Sequence, residues 1–151
     1  MPTFSVVQIL TASIAPVIVI SGVGLLLLSI TNRYGRAIDR ARLLARELGE
    51  TDPESARRRH LADQLRFTTE RARILRGSML YASSSIFFVS LTVISLFAEQ
   101  LLRLQTDFLA LPLFALCLLS LVVSMYYSIR DITVSLRALE LEASESLRGQ
   151  L

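Results

Sequence analysis

Four charged residues in one short stretch have the types and the spacing of an anion-binding site. Arg33, Arg36 and Arg40 recur at intervals of three and four residues, so a helix would place them on one face. Asp39 lies three residues from both Arg36 and Arg42 and can pair with either. Guanidinium groups form paired hydrogen bonds with phosphate and carboxylate, and arginines beside a membrane gain about 1 kcal/mol each from anionic lipid. We therefore predict that Arg33, Arg36, Arg40 and Asp39 contact lipid headgroups or other anions.

Two other interpretations of the same arginines stay open. They can act only as determinants of membrane orientation, with their side chains solvated, because basic residues next to a span fix its direction. They can also bind a specific ligand or a cytoplasmic protein partner. The spacing alone does not separate these interpretations from contact with membrane lipids.

The segment that must position these arginines runs from Thr31 to Gly77. It holds twelve of the sixteen arginines against seven acidic residues, and the chain contains no lysine. Apolar residues recur every three or four positions in both halves of the segment, which predicts two amphipathic helices. Gly49 suits the end of the first helix, while Asp52 and Pro53 suit the cap and first residue of the second. We expect a charged helical hairpin over about 32–77.

Three long runs without charge flank or follow this hairpin. They extend from Val6 to Thr31, from Gly77 to Ala98 and from Phe108 to Ile129. Each reaches the roughly 20 residues that cross the hydrocarbon core of a bilayer. We predict an all-α membrane protein forming one membrane domain over 1–151, with three transmembrane helices (about 6–31, 78–98 and 108–129), a cytoplasmic helical hairpin and a C-terminal cytoplasmic helix (about 130–148).

The distribution of arginine predicts the orientation of these spans. The hairpin carries twelve arginines, whereas the loop between the second and third uncharged runs carries one. Loops rich in arginine stay in the cytoplasm. We expect a multi-pass protein of the inner (plasma) membrane, with the N-terminus outside and the hairpin and C-terminus cytoplasmic.

The spacing of these arginines also resembles a motif of a known protein family. The motif consists of Asn32-Arg33, Arg36, Asp39-Arg40 and Arg42-Leu43, and it follows a span containing Ala15-Pro16 and Ser21-Gly22. With these residues the chain resembles a family of small predicted bacterial membrane proteins catalogued as a domain of unknown function. The resemblance extends from about Ile9 to the third span. It implies a bacterial protein with three spans, and it implies no activity.

Polar residues form a second pattern, along one face of the second span. This face contains Ser78, Tyr81, Ser85, Thr92, Ser95 and Glu99. The third span has a similar stripe of Cys117, Ser120, Ser124, Tyr127 and Asp131. One interpretation is helix packing, since hydroxyl groups in lipid form hydrogen bonds between helices. The other is a pore face, which would need several copies around an axis because three spans do not enclose a pore.

Several classes of function lack their characteristic residues. No acidic residue, basic residue or histidine lies in the middle of a span, which argues against a proton- or ion-coupled carrier. The sequence has no phosphate-binding loop, no dinucleotide fingerprint and no zinc-protease motif. Cys117 is the one cysteine, His60 is the one histidine, and the run Arg57–Arg59 is too short to indicate nucleic-acid binding. We expect no enzyme, no cofactor, no metal site and no nucleic-acid partner.

Two functions remain from the sequence. The first is a homo-oligomeric structural or interaction protein, whose hairpin contacts anionic lipid headgroups or a cytoplasmic protein partner. The alternative is a homo-oligomeric passive channel for ions or small solutes, lined by the polar face of the second span. The absence of charge within the spans favours the first function, and the length of the polar stripe favours the second.

Overall fold

Three long helices and one short turn make up the part of the chain that the structure describes. In this computed structural model, the described backbone covers residues 6–102 and 107–148, and the described side chains are those of 14, 16–99 and 108–135. The helices are α1 (Val6–Glu50), α2 (Ala56–Leu102) and α3 (Asp107–Arg148). Each contains a segment long and apolar enough to cross a membrane. The prediction of an all-helical protein with three membrane-spanning helices is confirmed at this level.

Buried residues recur every seven positions along the helices. On α1 the buried residues include Pro16, Val23, Ile30, Ala37 and Leu44, each seven after the last. On α3 they include Cys117, Ser124 and Asp131. On α2 the intervals alternate between three and four, through Leu75, Ser78, Ala82, Ser85, Val89 and Thr92. A seven-residue period keeps one narrow seam of a helix against its neighbours, so most of each helix surface stays outside the contact.

By their contacts, the helices form two compact units. The first, which we call the apolar unit, comprises Met1–Ser29 and Met79–Ser124. Its buried side chains are small, such as Ala82, Val89 and Cys117. Its large apolar side chains point outward instead: Leu25 is 71% exposed and Leu111 is 77% exposed. In a bilayer such an exterior faces lipid, and small residues at the seam allow helices to approach closely.

Several hydroxyl groups in the apolar unit form hydrogen bonds within their own helix. Ser84 donates a hydrogen bond to the carbonyl of Leu80 at 2.9 Å, and Ser90 donates one to that of Ile86 at 2.8 Å. Such bonds to the carbonyl four residues earlier are the usual solution for serine and threonine inside a helix. Because an unpaired polar group in hydrocarbon costs several kcal/mol, these bonds make the helix compatible with a membrane.

The second unit, which we call the charged unit, comprises Ile30–Ser78 and Met125–Leu151. Its core contains large apolar side chains, including Ile30, Leu44, Leu61, Ile74 and Leu75. A leucine or isoleucine hidden from water stabilises a fold by about 1.5–3 kcal/mol. Burial of these side chains therefore holds the unit together, whereas its surface ion pairs add little.

The turn of the hairpin differs from its prediction. α1 ends at Glu50 and α2 begins at Ala56, so Ser55, and not Asp52, caps α2. The Ser55 hydroxyl accepts a hydrogen bond from the backbone N–H of Arg58 at 3.2 Å, as an N-cap residue does. Asp52 closes the preceding turn, because its side chain accepts from the N–H of Glu54 and its carbonyl accepts from the N–H of Ser55. Pro53 fits this turn because its fixed φ suits the second turn position as well as a helix start.

Arg58 fastens the two arms at this end of the hairpin. Its Nη1 donates hydrogen bonds to the carbonyl oxygens of Leu48, at 3.2 Å, and Thr51, at 2.9 Å. The last carbonyls of a helix have no partner within that helix, and a basic side chain can satisfy them. The first turn of α2 is therefore held against the end of α1.

Candidate functional site

A pocket in the charged unit brings four arginines together. It has a volume of about 260 Å³ and is formed by α1 and α2. We call it the arginine pocket, and its lining residues are Arg33, Arg36, Ala37, Arg40, Phe67, Thr68 and Arg71. Three of the four predicted anion-contact residues thus line one pocket. The fourth cation, Arg71, comes from the other arm of the hairpin.

The buried seam of α1 explains how three arginines reach this pocket. Ala37 lies on the seam and is 7% exposed. Arg33, Arg36 and Arg40 lie four residues before, one before and three after Ala37, so they border the seam, and their side chains line the pocket beside it. Within the described part of the chain, none of these three guanidinium groups has a carboxylate within ion-pair distance. Their positive charge is therefore available to a ligand.

The fourth arginine is held by a buried carboxylate. Arg71 Nε donates a hydrogen bond to Asp131 Oδ1 on α3 at 2.8 Å, a short charge-assisted contact. The Asp131 side chain is 1% exposed, whereas that of Arg71 is 36% exposed. An ionised carboxylate is costly to bury without a charged partner, so this contact ties α3 to the hairpin. It also orients the one arginine that reaches the pocket from α2.

The second oxygen of Asp131 is a notable feature of this pair. Among the described residues, Asp131 Oδ2 is buried and accepts no hydrogen bond. Nearly all buried polar atoms in folded proteins have a partner. Within the part of the chain that the structure describes, Arg71 is therefore the direct partner on which the carboxylate depends.

Asp39, the other predicted contact residue, does not line the pocket. Its carboxylate lies 3.9 Å from Arg42 Nη1, and both side chains are about three-quarters exposed, at 78% and 74%. Of the two partners that the sequence offered, the structure selects Arg42 over Arg36. Exposed pairs of this kind contribute about 0–1 kcal/mol. Asp39 thus leaves Arg36 free of a carboxylate within the described residues.

The remaining pocket walls limit what can bind there. Phe67 and Ala37 supply apolar surface. The Thr68 hydroxyl donates a hydrogen bond to the carbonyl of Gln64 at 2.8 Å. The pocket is smaller than the roughly 300–1,000 Å³ of sites that enclose drug-sized ligands. Four guanidinium groups around this volume suit one small anionic group, such as a phosphate or phosphodiester.

The six residues on the polar face of the second span have different environments. Ser78, Ser85 and Thr92 are buried, at 0%, 0% and 4% exposure. Tyr81 is exposed, while Ser95 and Glu99 are partly exposed. Within the apolar unit, Ser85 Oγ lies 3.3 Å from Cys117 Sγ, and Thr92 donates to the carbonyl of Phe88 at 2.9 Å. The buried members of the face belong to the seven-residue seam and contact protein.

Arg71 and Asp131 are the site residues that the sequence did not single out as a pair. They are 60 residues apart, and each falls on a helix with many other charges or hydroxyls. One signal was present, since Asp131 continues the polar stripe of Cys117 and Ser124 at seven-residue intervals just beyond an uncharged run. A single sequence does not say which arginine faces that stripe.

Comparison with known proteins gives one positive finding. Residues 13–141 match the model of a family described as "Protein of unknown function (DUF2721)". The chain matches none of the curated proteins and none of the solved structures with which it was compared. The matched range contains the arginine motif, the arginine pocket and Asp131. It confirms the resemblance inferred from the arginine register.

Proposed function

This chain belongs to the family of proteins of unknown function (DUF2721), and from that premise we propose that it is a membrane-embedded lipid-contact protein. In this proposal the arginine pocket binds the phosphate of an anionic lipid headgroup. The observation that carries the proposal is the convergence of Arg33, Arg36, Arg40 and Arg71 on one pocket whose lining residues include no acidic side chain.

The sequence supports a position for this pocket at the depth of lipid headgroups. Arg33 lies two residues after Thr31, the end of the first uncharged run, and Arg40 lies two helical turns further on. Juxtamembrane arginines gain about 1 kcal/mol each from anionic lipid, and this gain fades within a Debye length of the surface. A phosphate in this region is most abundant as part of a lipid, which favours a headgroup over a soluble anion.

The proposal includes the orientation and the compartment. Twelve arginines in the hairpin support its placement on the cytoplasmic side, with the N-terminus outside and the C-terminus inside. The family resemblance supports the inner membrane of a bacterium. In that arrangement the pocket faces the leaflet whose anionic lipids carry the negative surface potential.

The burial of Ser85 and Thr92 weakens the alternative of a channel. A pore lined by the second span would need Ser85 and Thr92 to face water between copies of the chain. Ser85 lies against Cys117 of the same chain, and the Thr92 hydroxyl is bonded to its own helix. These contacts favour helix packing, so we propose the lipid-contact function alone.

A triple substitution of Arg33, Arg36 and Arg40 to Gln tests the proposal. The three arginines together are expected to contribute roughly 3 kcal/mol, so affinity for phosphatidylglycerol in nanodiscs should fall about a hundredfold. Binding can be measured by titration with a fluorescent phosphatidylglycerol. Phosphatidylcholine, whose choline cation offsets its phosphate, serves as the lipid without net charge, and its weaker binding should fall by a smaller factor.

A matched control removes the same net charge elsewhere. Arg42, Arg46 and Arg76 are exposed arginines outside the pocket, and Arg76 borders the second uncharged run. Their combined replacement by Gln should reduce phosphatidylglycerol affinity far less than the pocket triple. Equal losses in both variants would show that general basic charge, and not the pocket, binds the lipid, and the proposal would then be wrong.

A further inference from the structure

A second pocket in the charged unit, formed by α2 and α3, has a different chemistry. Its volume is about 670 Å³, and its lining includes Arg66, Glu70, Arg73, Gly77, Tyr127 and Arg130. We propose that this mixed-charge pocket binds the headgroup of a phospholipid that carries both a phosphate and a primary ammonium, as phosphoethanolamine does. The site shares no lining residue with the arginine pocket, so it goes beyond the function proposed above.

Charges of both signs are present in this pocket without neutralising one another. Arg66, Glu70 and Arg73 lie on one face of α2, and Arg130 comes from α3. Within the described part of the chain, the Glu70 carboxylate forms no ion pair with any of the three arginines. The guanidinium groups therefore remain available to a phosphate, and the carboxylate remains available to a cation.

Close packing of the two helices supports one end of the pocket. A Cβ atom added to Gly77 would lie 3.3 Å from Cδ1 and Cε1 of the Tyr127 ring, so the ring rests on the glycine backbone. Gly77 is the first residue of the second uncharged run, and Tyr127 lies two residues before the end of the third. Tyrosine is enriched at the membrane–water interface. Both helices thus change from apolar to charged at this pocket, which is the depth of a lipid headgroup.

Glu70 distinguishes this pocket from the arginine pocket. Any phospholipid brings a phosphate to the three arginines of this pocket. A headgroup with an ammonium group also supplies a cation that can donate up to three hydrogen bonds to the Glu70 carboxylate. The arginine pocket has no acidic side chain in its lining and suits an anion alone. The larger volume falls within the range that encloses a whole small ligand, so it suits a complete headgroup.

Competition between two lipids tests this assignment. The protein is purified with Arg33, Arg36 and Arg40 replaced by Gln, so that adducts report on the mixed-charge pocket. It is then exposed to equimolar phosphatidylethanolamine and phosphatidylglycerol, and adducts are counted by native mass spectrometry. We expect phosphatidylethanolamine to dominate. Adding Glu70→Gln should lower the ratio of phosphatidylethanolamine to phosphatidylglycerol adducts by up to about fivefold, the upper limit for the loss of one exposed ion pair.

Two further variants separate recognition from stability. Glu54→Gln removes an equal charge in the exposed hairpin turn and should leave the ratio unchanged. Arg130→Gln should weaken both adducts, because both lipids carry a phosphate, while the ratio stays near its starting value. A ratio that does not change in Glu70→Gln, or a parallel loss of both lipids in that variant, overturns the assignment.

Competition with a soluble headgroup distinguishes a lipid ligand from a free metabolite. Soluble phosphoethanolamine should fail to displace phosphatidylethanolamine at concentrations equal to those of the lipid, because it lacks the acyl chains that the membrane holds. Displacement at equal concentration would overturn the lipid as ligand. Since the arginine pocket is already disabled in this background, failure here leaves the lipid-contact function of that pocket unaffected, and the two proposals fail separately.

Discussion

At the scale of single residues, Arg71 and Asp131 form an ion pair in which the two side chains differ in solvent exposure. Asp131 is almost fully buried, whereas Arg71 keeps about a third of its side chain in solvent. Removing one partner of a buried pair is costly mainly because the other charge stays buried and unpaired. The cost of a substitution should therefore depend on which partner is removed.

We expect Arg71→Gln to destabilise the protein more than Asp131→Asn. The first change leaves a buried carboxylate without the guanidinium that pairs with it and should cost up to about 3–5 kcal/mol. The second leaves a guanidinium that water can reach, and should cost about 1 kcal/mol. Thermal unfolding in detergent, followed by circular dichroism, can compare them, because 1 kcal/mol corresponds to about 2–4 °C for a chain of this size.

The double variant is the control for this prediction. Arg71→Gln with Asp131→Asn removes both charges, so it should recover much of the stability lost in Arg71→Gln alone. If the two single variants unfold at the same temperature, or the double variant shows the plain sum of the two losses, the pair does not act as described.

Two glycines provide a second comparison at this scale. A Cβ at Gly35 would meet nothing within 4 Å, whereas a Cβ at Gly77 would meet the Tyr127 ring at 3.3 Å. Gly35→Ala should stabilise α1 by up to about 1 kcal/mol, through helix propensity alone. Gly77→Ala gains the same propensity but must displace the ring, so its unfolding temperature should rise less or fall. A larger stabilisation from Gly77→Ala than from Gly35→Ala would contradict the close packing.

At the scale of the helices, the hairpin is fastened at the end where its two arms meet. The Ser55 cap starts α2, and Arg58 donates to two carbonyls at the end of α1. The neighbouring arginines Arg57 and Arg59 are exposed. The three consecutive arginines therefore have different roles. The position of Arg58 on the helix allows it to contact the end of α1.

We predict that Arg58→Gln loosens this end of the hairpin while Arg57→Gln does not. Hydrogen bonds from a charged donor contribute about 1.5–3 kcal/mol, and Gln is too short to reach both carbonyls. Hydrogen exchange of the backbone amides in residues 44–61 should accelerate in Arg58→Gln. Ser55→Ala should accelerate it too, by the roughly 1 kcal/mol of a lost cap. Equal exchange in the Arg57 and Arg58 variants would mean that the observed hydrogen bonds do not stabilise the turn.

At the scale of the whole molecule, the proposed orientation makes a prediction about access. In a Cys117→Ala background, a cysteine replacing Glu54 reports on the hairpin, and one replacing Gln105 reports on the segment between the second and third uncharged runs. In intact cells, a membrane-impermeant maleimide should label the cysteine at 105 and should label the one at 54 only after the membrane is opened. The reverse pattern would place the arginine-rich hairpin outside, against the positive-inside argument.

Much of this architecture follows from the sequence because it depends on local patterns. Uncharged runs of more than 20 residues predict spans, and apolar residues at three- and four-residue intervals predict the charged helices around Ala37 and Leu61. The register of Arg33, Arg36 and Arg40 follows from the helical period alone. The chain turns between Glu50 and Ala56, next to the predicted breakers Gly49 and Pro53, but the cap of α2 is Ser55. The sequence does not decide the cap, since Asp52 and Ser55 are both good caps and Pro53 fits either arrangement.

The tertiary structure decided which residues of different helices meet. Three contacts depend on how each helix is rotated and shifted along its neighbour. They are the Arg71–Asp131 pair, the contact of Gly77 with Tyr127 and the burial of Ser85 against Cys117. A seven-residue seam fixes which face is buried but allows several shifts of one helix past another. The arginine register was therefore readable from the sequence, whereas the fourth arginine and the carboxylate that holds it became visible only when the helices were packed.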